Sequence, residues 1–297
     1  MNTVAFLKPE HLAPIRNINL RAKLIVEGMI AGIHKSPYHG FSAEFLEYRP
    51  YRTGESARSI DWRKYAKTDR SYVRLFEDET NCPAHILIDK SASMRFAADK
   101  RISKFDYART LAASIAWILI RQRDAVAFAA FDERVATYLP PRSTNIQLKN
   151  ILSVLDGIEP GAQTRCGHSI NRLAQGIKRR GLTIVLSDLF DDPDSILKGL
   201  RHLRFKRQDV LLLWVLDPQE RSFSAKNSYQ LHDMETGKTI FLDGHTASRF
   251  LYEGIKHHGE IVERGCRELK IDFSVITTDE PFVRALIRVL QTRRRLL

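Results

Sequence analysis

Several things are scarce in this chain of 297 residues. Its three cysteines, Cys82, Cys166 and Cys266, are far apart, with no C-x-x-C pair and no histidine at zinc-ligand spacing. That excludes a disulfide scaffold and a structural zinc, and leaves free thiols as the expected state. Long apolar runs are missing too. The longest, Leu111 to Ile120 (LAASIAWILI), falls short of the roughly 20 residues a membrane span requires and reads as a buried helix. The opening MNTVAFLKPEHLAPI lacks a basic start followed by an apolar block, so a cytoplasmic protein is expected. There is no P-loop, H-E-x-x-H or Gly-rich dinucleotide fingerprint, which argues against nucleotide hydrolysis by this chain. Internal repeats and low-complexity segments are absent as well.

What is present is enough apolar residue, 43%, for a sizeable core. The formal charge is +12, spread over the chain and concentrated locally only at Lys178-Arg179-Arg180, Arg201 to Arg207 and Arg293-Arg294-Arg295. Such a charge invites a nucleic-acid reading or peripheral contact with an anionic membrane, but these groups read first as solvated helix faces and second as phosphate contacts.

The stretch that organises the chain is Ala84 to Met94, AHILIDKSASM. A short apolar run reads as a buried strand that ends in small polar residues, a loop signal. Alternation along an extended loop would set Asp89, Ser91 and Ser93 on one side, so that a carboxylate and two hydroxyls converge above the sheet edge. Oxygen ligands with few charges suit a hard cation. A second apolar run, Leu182 to Leu186, ends in another acidic loop, Ser187-Asp188-Leu189-Phe190-Asp191-Asp192-Pro193.

Taken in order, residues 1–33 read as an N-terminal helical arm and 34–80 as a small β subdomain, to which the hairpin 228–243 is a candidate addition. Residues 81–297 read as an α/β domain. In the small subdomain short strands are expected near Glu44 to Arg49, Ile60 to Tyr65 and Ser71 to Phe76, with ion pairs among Glu44, Arg49, Asp61, Arg63 and Arg74. In the large domain helices are expected at Lys104 to Gln122, from Ser143 or Thr144 to Gly157, at His168 to Arg180, 194–204, Ala247 to Leu269 and Pro281 to Leu290. The intervening strands are Asp124 to Phe131, Arg134 to Leu139, Leu182 to Leu186, Val210 to Leu216 and Ile271 to Ile276. Pro140-Pro141 is expected to break the chain, and the Arg-rich tail to fray. Strands and helices that interleave in this way predict a doubly wound, mostly parallel sheet. Ligands bind such sheets at the carboxyl edge, where Asp89, Thr164 and Asp188 would lie together if their loops face the same way.

Three blocks, EFLEYRPYRTGESARSIDWRKYAKTDRSYVRLFEDE, HILIDKSASM and IVLSDLFDD, together with the later DMETGKTIFLD, carry a resemblance. The chain resembles the bacterial domain-of-unknown-function family numbered fifty-eight, built on a von Willebrand factor A-like fold. The resemblance implies a metal-ion-dependent adhesion site, which position by position falls on Asp89, Ser91, Ser93, Thr164 and Asp188. The implied ion is Mg²⁺, with Mn²⁺ or Ca²⁺ as substitutes, and a partner's carboxylate would complete its shell. It also implies a non-enzymatic role as adaptor of a MoxR-type AAA+ ATPase, acting on a client protein.

Two other classes compete. A nucleic-acid binder would use the basic helix faces. A metal-dependent phosphohydrolase would begin with an aspartate at a strand end, but it needs a second acid two residues on, where Ser91 stands here.

Overall fold

A computed structural model describes residues 8–33, 47–50, 65, 72–75, 82–98, 101–161, 163, 165–222, 229–232, 239–242 and 244–296. The chain divides into two compact units, Ser36–Asn81 and the remainder, Met1–Lys35 with Cys82–Leu297.

In the smaller unit, strand β1 (Glu47–Pro50) pairs antiparallel with β2 (Tyr72–Leu75), Glu47 opposite Leu75. The strand expected at Ile60 to Tyr65 lies, Tyr65 apart, outside the described residues, as do the expected ion pairs.

The larger unit is built on runs too apolar to tolerate water on either face. Strands β3 (Ala84–Asp89), β4 (Val126–Phe131) and β6 (Gly181–Ser187) are buried at every position. Strand β7 (Gln208–Leu216) is buried at all but Asp209. Such runs belong to a parallel sheet covered on both sides. With β5 (Val135–Arg142) and β10 (Asp272–Thr277) they form one sheet of order β10-β7-β6-β3-β4-β5. All neighbours are parallel except β5, which pairs antiparallel with β4. The fold is thus α/β with a doubly wound, mostly parallel sheet. The chain reverses its direction of winding between β3 and β6, adjacent strands separated in sequence by the excursion through β4 and β5.

Alternation along β3 sends Ile86 and Ile88 to one face and Leu87 to the other, and each face carries its own core. On the first lie helices α2 (Ile18–Ile33), α3 (Lys104–Arg121), α4 (Asn145–Gly157) and α9 (Phe282–Leu296). The second takes α5 (Cys166–Gly176), α6 (Pro193–Phe205) and α8 (Gly244–Glu268). A short helix α1 (Pro9–Leu12) precedes α2, α7 (Pro218–Arg221) follows β7, and β8 (Tyr229–His232) forms a hairpin with β9 (Thr239–Leu242).

Two expectations fail for local reasons. Pro140-Pro141 does not break the chain, because β5 runs through both prolines to Arg142. Leu139 pairs with Phe128 and Arg142 with Val126, so the two prolines share a bulge opposite Ala127 on an edge strand, where a missing N–H costs no ladder bond. The Arg-rich tail is helical in its backbone rather than frayed, since α9 continues to Leu296. The apolar face that anchors it, Phe282, Ala285, Leu286, Val289 and Leu290, is buried in the first core.

Candidate functional site

Asp89 is the last residue of β3 and Asp188 directly follows β6, so both stand at the carboxyl edge, on the two strands that flank the reversal of winding. This is the crevice in which open α/β sheets place ligands. Asp89, Ser91 and Asp188 are fully buried, and Ser93 is partly exposed.

Local turn chemistry sets the first group. The Asp89 Oδ1 accepts the N–H of Ser91 at 2.8 Å, an Asx turn that folds the chain back immediately after the strand. Residues Ala92–Arg95 then form a 3₁₀ turn. The serines therefore do not alternate along an extended loop. The turn itself brings the Oγ atoms of Ser91 and Ser93 to 3.1 Å of each other. The other oxygen of Asp89 accepts a 2.6 Å hydrogen bond from the Ser187 hydroxyl, which in turn accepts the N–H of Leu189. Ser187 was not singled out in the sequence, although its place as the last residue of a buried strand marks it. Burial and the nearby charge of Asp188 push the Asp89 carboxyl up to about 7.

Asp188 has a different partner. Lys104, the first residue of α3, is entirely buried and donates to the Asp188 Oδ2 at 2.8 Å and to Glu220 Oε1 at 2.7 Å. Burial alone would lower the lysine's pKa, but the two carboxylates outweigh it and hold the ammonium protonated above its ordinary range. The aromatic faces of Phe190 and Phe96 lie 4.5 and 5.8 Å from Nζ. Glu220 is fixed by a capping box at α7, where its Oε2 accepts the N–H of Asp217. The Asp188 carbonyl accepts the indole N–H of Trp214 at 2.6 Å. Sequence reading passed over Lys104. Its signal was a cation in the first turn of a helix, where the macrodipole disfavours positive charge.

Of the remaining residues, Lys90 turns away to an ion pair with Asp132. The Lys90 carbonyl accepts the N–H of Gly161 at 3.0 Å, which ties the loop before α5 to the Asp89 turn. Thr164 in that loop lies outside the described residues. Arg95 fastens the same loop by donating to the Pro160 carbonyl. Asp191 accepts the N–H of Gly167 at 3.0 Å, joining the acidic loop to the start of α5.

The donor chemistry can be tested against a cation. Among the described residues no three His, Cys, Asp or Glu side chains gather as a cage. Any ion here depends on hydroxyls, and the Asp89 carboxylate with the Ser91 and Ser93 hydroxyls, themselves 3.1 Å apart, is an all-oxygen set of the kind a hard divalent cation accepts. Asp188 adds negative charge beside it while its Oδ2 is held by Lys104.

A family model described as "Protein of unknown function DUF58" matches residues 47–259, well over half of the chain. The chain belongs to the DUF58 family. Among curated proteins, this DUF58 chain is 24% identical over 294 residues to the uncharacterized protein Rv1480 of Mycobacterium tuberculosis, covering 97% of this chain and 91% of that one. Among solved structures it is similar to the conserved hypothetical protein BatB from Bacteroides thetaiotaomicron, at TM-score 0.47 and 19% identity, over 72% of this chain and 99% of that one. It is also similar to the SpRpn10 VWA domain, at TM-score 0.42 and 11% identity, over 69% of this chain and 93% of that one. This DUF58 chain has an α/β fold with a six-stranded, mostly parallel sheet flanked by helices. Among the described residues no helix is long and apolar enough to cross a membrane.

Proposed function

We propose that this chain is a non-enzymatic protein-interaction module whose contact depends on a divalent cation, Mg²⁺ or a substitute such as Mn²⁺ or Ca²⁺. The observation that supports it is the gathering of Asp89, Ser91 and Ser93 into one oxygen cluster beside Asp188 at the reversal of winding. Asp89, Ser91 and Ser93 would hold the ion, with Thr164 and Asp188 as the further positions that the family pattern supplies. When bound, the ion supplies a positive centre that a carboxylate of another protein can ligate. Asp188 shares Lys104 with Glu220, so this chain's own carboxylates would not saturate the charge of the ion. The partner class is therefore a protein with an exposed acidic residue. The resemblance to DUF58 proteins supports a place as adaptor between a MoxR-type AAA+ ATPase and a client.

Titration calorimetry with Mg²⁺ and Mn²⁺ tests the reading. Heat of binding is expected from the native chain and none from Asp89→Ala, with both folded by circular dichroism. Equal heats from the two proteins overturn it.

A further inference from the structure

The edge of the sheet opposite the candidate site gathers basic residues that are remote in sequence. Parallel strands all begin there. The loop 177–180 enters β6 and the loop 206–207 enters β7, and these strands are neighbours with Gly181 opposite Gln208. Gln208, fully buried, stitches the two loops together by donating from Nε2 to the carbonyls of Arg179 at 2.7 Å and Lys206 at 3.3 Å. Asp209 binds Arg204 and Arg180 from the same position, so two of the three basic runs in the sequence form one patch. The third ends α9, a helix that starts beyond β10 at the carboxyl edge, where Phe282 stacks on Tyr107.

Backbone conformation adds an independent observation. Among the described residues, four that are not glycine have positive φ: Arg123, Leu189, Arg207 and Lys270. Three of the four are cations, and each sits between the end of a helix, α3, α6 or α8, and the start of a parallel strand, β4, β7 or β10. A helix ending in the left-handed conformation ordinarily carries glycine there, because a side chain is strained. The helix dipole accounts for a cation in a last turn. It does not account for Arg or Lys at the strained position three times along one edge. These three side chains are exposed. From β10 to β4 the edge covers four strand spacings, about 20 Å. Phe205, 82% exposed, stands beside Arg204 and Lys206 within the patch.

We propose that this amino-terminal edge is a docking face for the surface of an anionic lipid bilayer. The cations match phospholipid headgroups, and the Phe205 ring, which has no polar atom, enters the acyl boundary between them. A single-stranded nucleic-acid surface would use a row of aromatic stacking partners along a groove, and a duplex would use cations alone, whereas this edge sets one exposed apolar ring among guanidinium and ammonium groups. The face lies on the side of the sheet away from Asp89, so a partner at the candidate site would stay accessible while the protein rests on a membrane.

Sedimentation of the full chain with vesicles tests this, using phosphatidylcholine alone or mixed with phosphatidylglycerol. Binding is expected only to the mixed vesicles, and it is expected to disappear between roughly 0.1 M and roughly 1 M salt, as the screening length falls from about 10 Å to about 3 Å. The variant Arg123→Gly/Arg207→Gly/Lys270→Gly removes three charges at positions where glycine relieves strain. It is expected to melt no lower than the native chain yet to partition on the order of 100-fold more weakly. Phe205→Ser is expected to weaken binding without changing its salt dependence. Should the glycine variant misfold, Arg179→Gln/Arg207→Gln, both in loops, serves the same comparison. Native-like partitioning of the folded variants overturns the proposal. So does equal binding to neutral vesicles, binding to neither kind, or retention by duplex DNA with vesicles ignored.

Discussion

Lys104 carries more of the candidate site than any residue the motif names. Its ammonium is wholly removed from water and faces Asp188 and Glu220, which come from segments 84 and 116 residues away in sequence. Truncating one member of a buried ionic group leaves the others uncompensated, so Lys104→Ala should cost about 3–5 kcal/mol of stability. Urea unfolding measures this, and a loss below about 1 kcal/mol would mean that the group is not dry. Asp89, Ser91 and Asp188 were legible in the sequence because each ends or follows an apolar run that cannot be anything but a strand. Lys104 and Glu220 were not, because their partnership exists only once α3 and α7 have been packed against the sheet edge.

His85, also on β3, provides a separate test. Burial alone lowers its pKa from the ordinary 6.5 to about 4. The unfolded chain therefore takes up a proton that the folded one refuses. Stability is intact above pH ~6.5 and declines as the pH falls toward ~4, by up to about 3 kcal/mol. In His85→Leu this part of the pH slope should vanish. Urea midpoints measured at several pH values for both proteins check it, and identical slopes would rule it out.

At the scale of elements, most helices and strands were readable from apolar runs and turn residues, and the misreadings have physical causes. The helix expected from His168 to Arg180 begins at Cys166 and ends at Gly176, because Ile177 turns back into the second core. The bulge at Pro140-Pro141 could not be read from composition, since it depends on β5 being an edge strand. Helix contacts also hide a constraint. At Gly199, in α6, an added Cβ would stand 2.6 Å from the carbonyl oxygen of Gly167 in α5, whereas at Gly254 in α8 it would meet nothing within 4 Å. Gly199→Ala is accordingly expected to lower stability by about 1–3 kcal/mol, and Gly254→Ala to raise it by up to about 1 kcal/mol. Thermal melts of the two variants should move in opposite directions.

Across the whole molecule, topology followed from the alternation of strands and helices, because parallel neighbours need crossovers and crossovers have a fixed hand. Charge placement did not follow. Runs that looked like solvated helix faces meet at one edge only because β6 and β7 are adjacent, and no local pattern encodes that adjacency. Distant parts of the chain are joined at the other edge as well, through the indole of Trp214. Its ring lies 6.0 Å from both His258 and Phe273, Gly259 leaves room for it, and its N–H ends on the backbone of Asp188. An indole so enclosed emits according to the polarity and hydrogen bonding of its surroundings. The chain thus holds a fluorophore wired to the acidic loop, and any event that shifts that loop is written into its emission without a label.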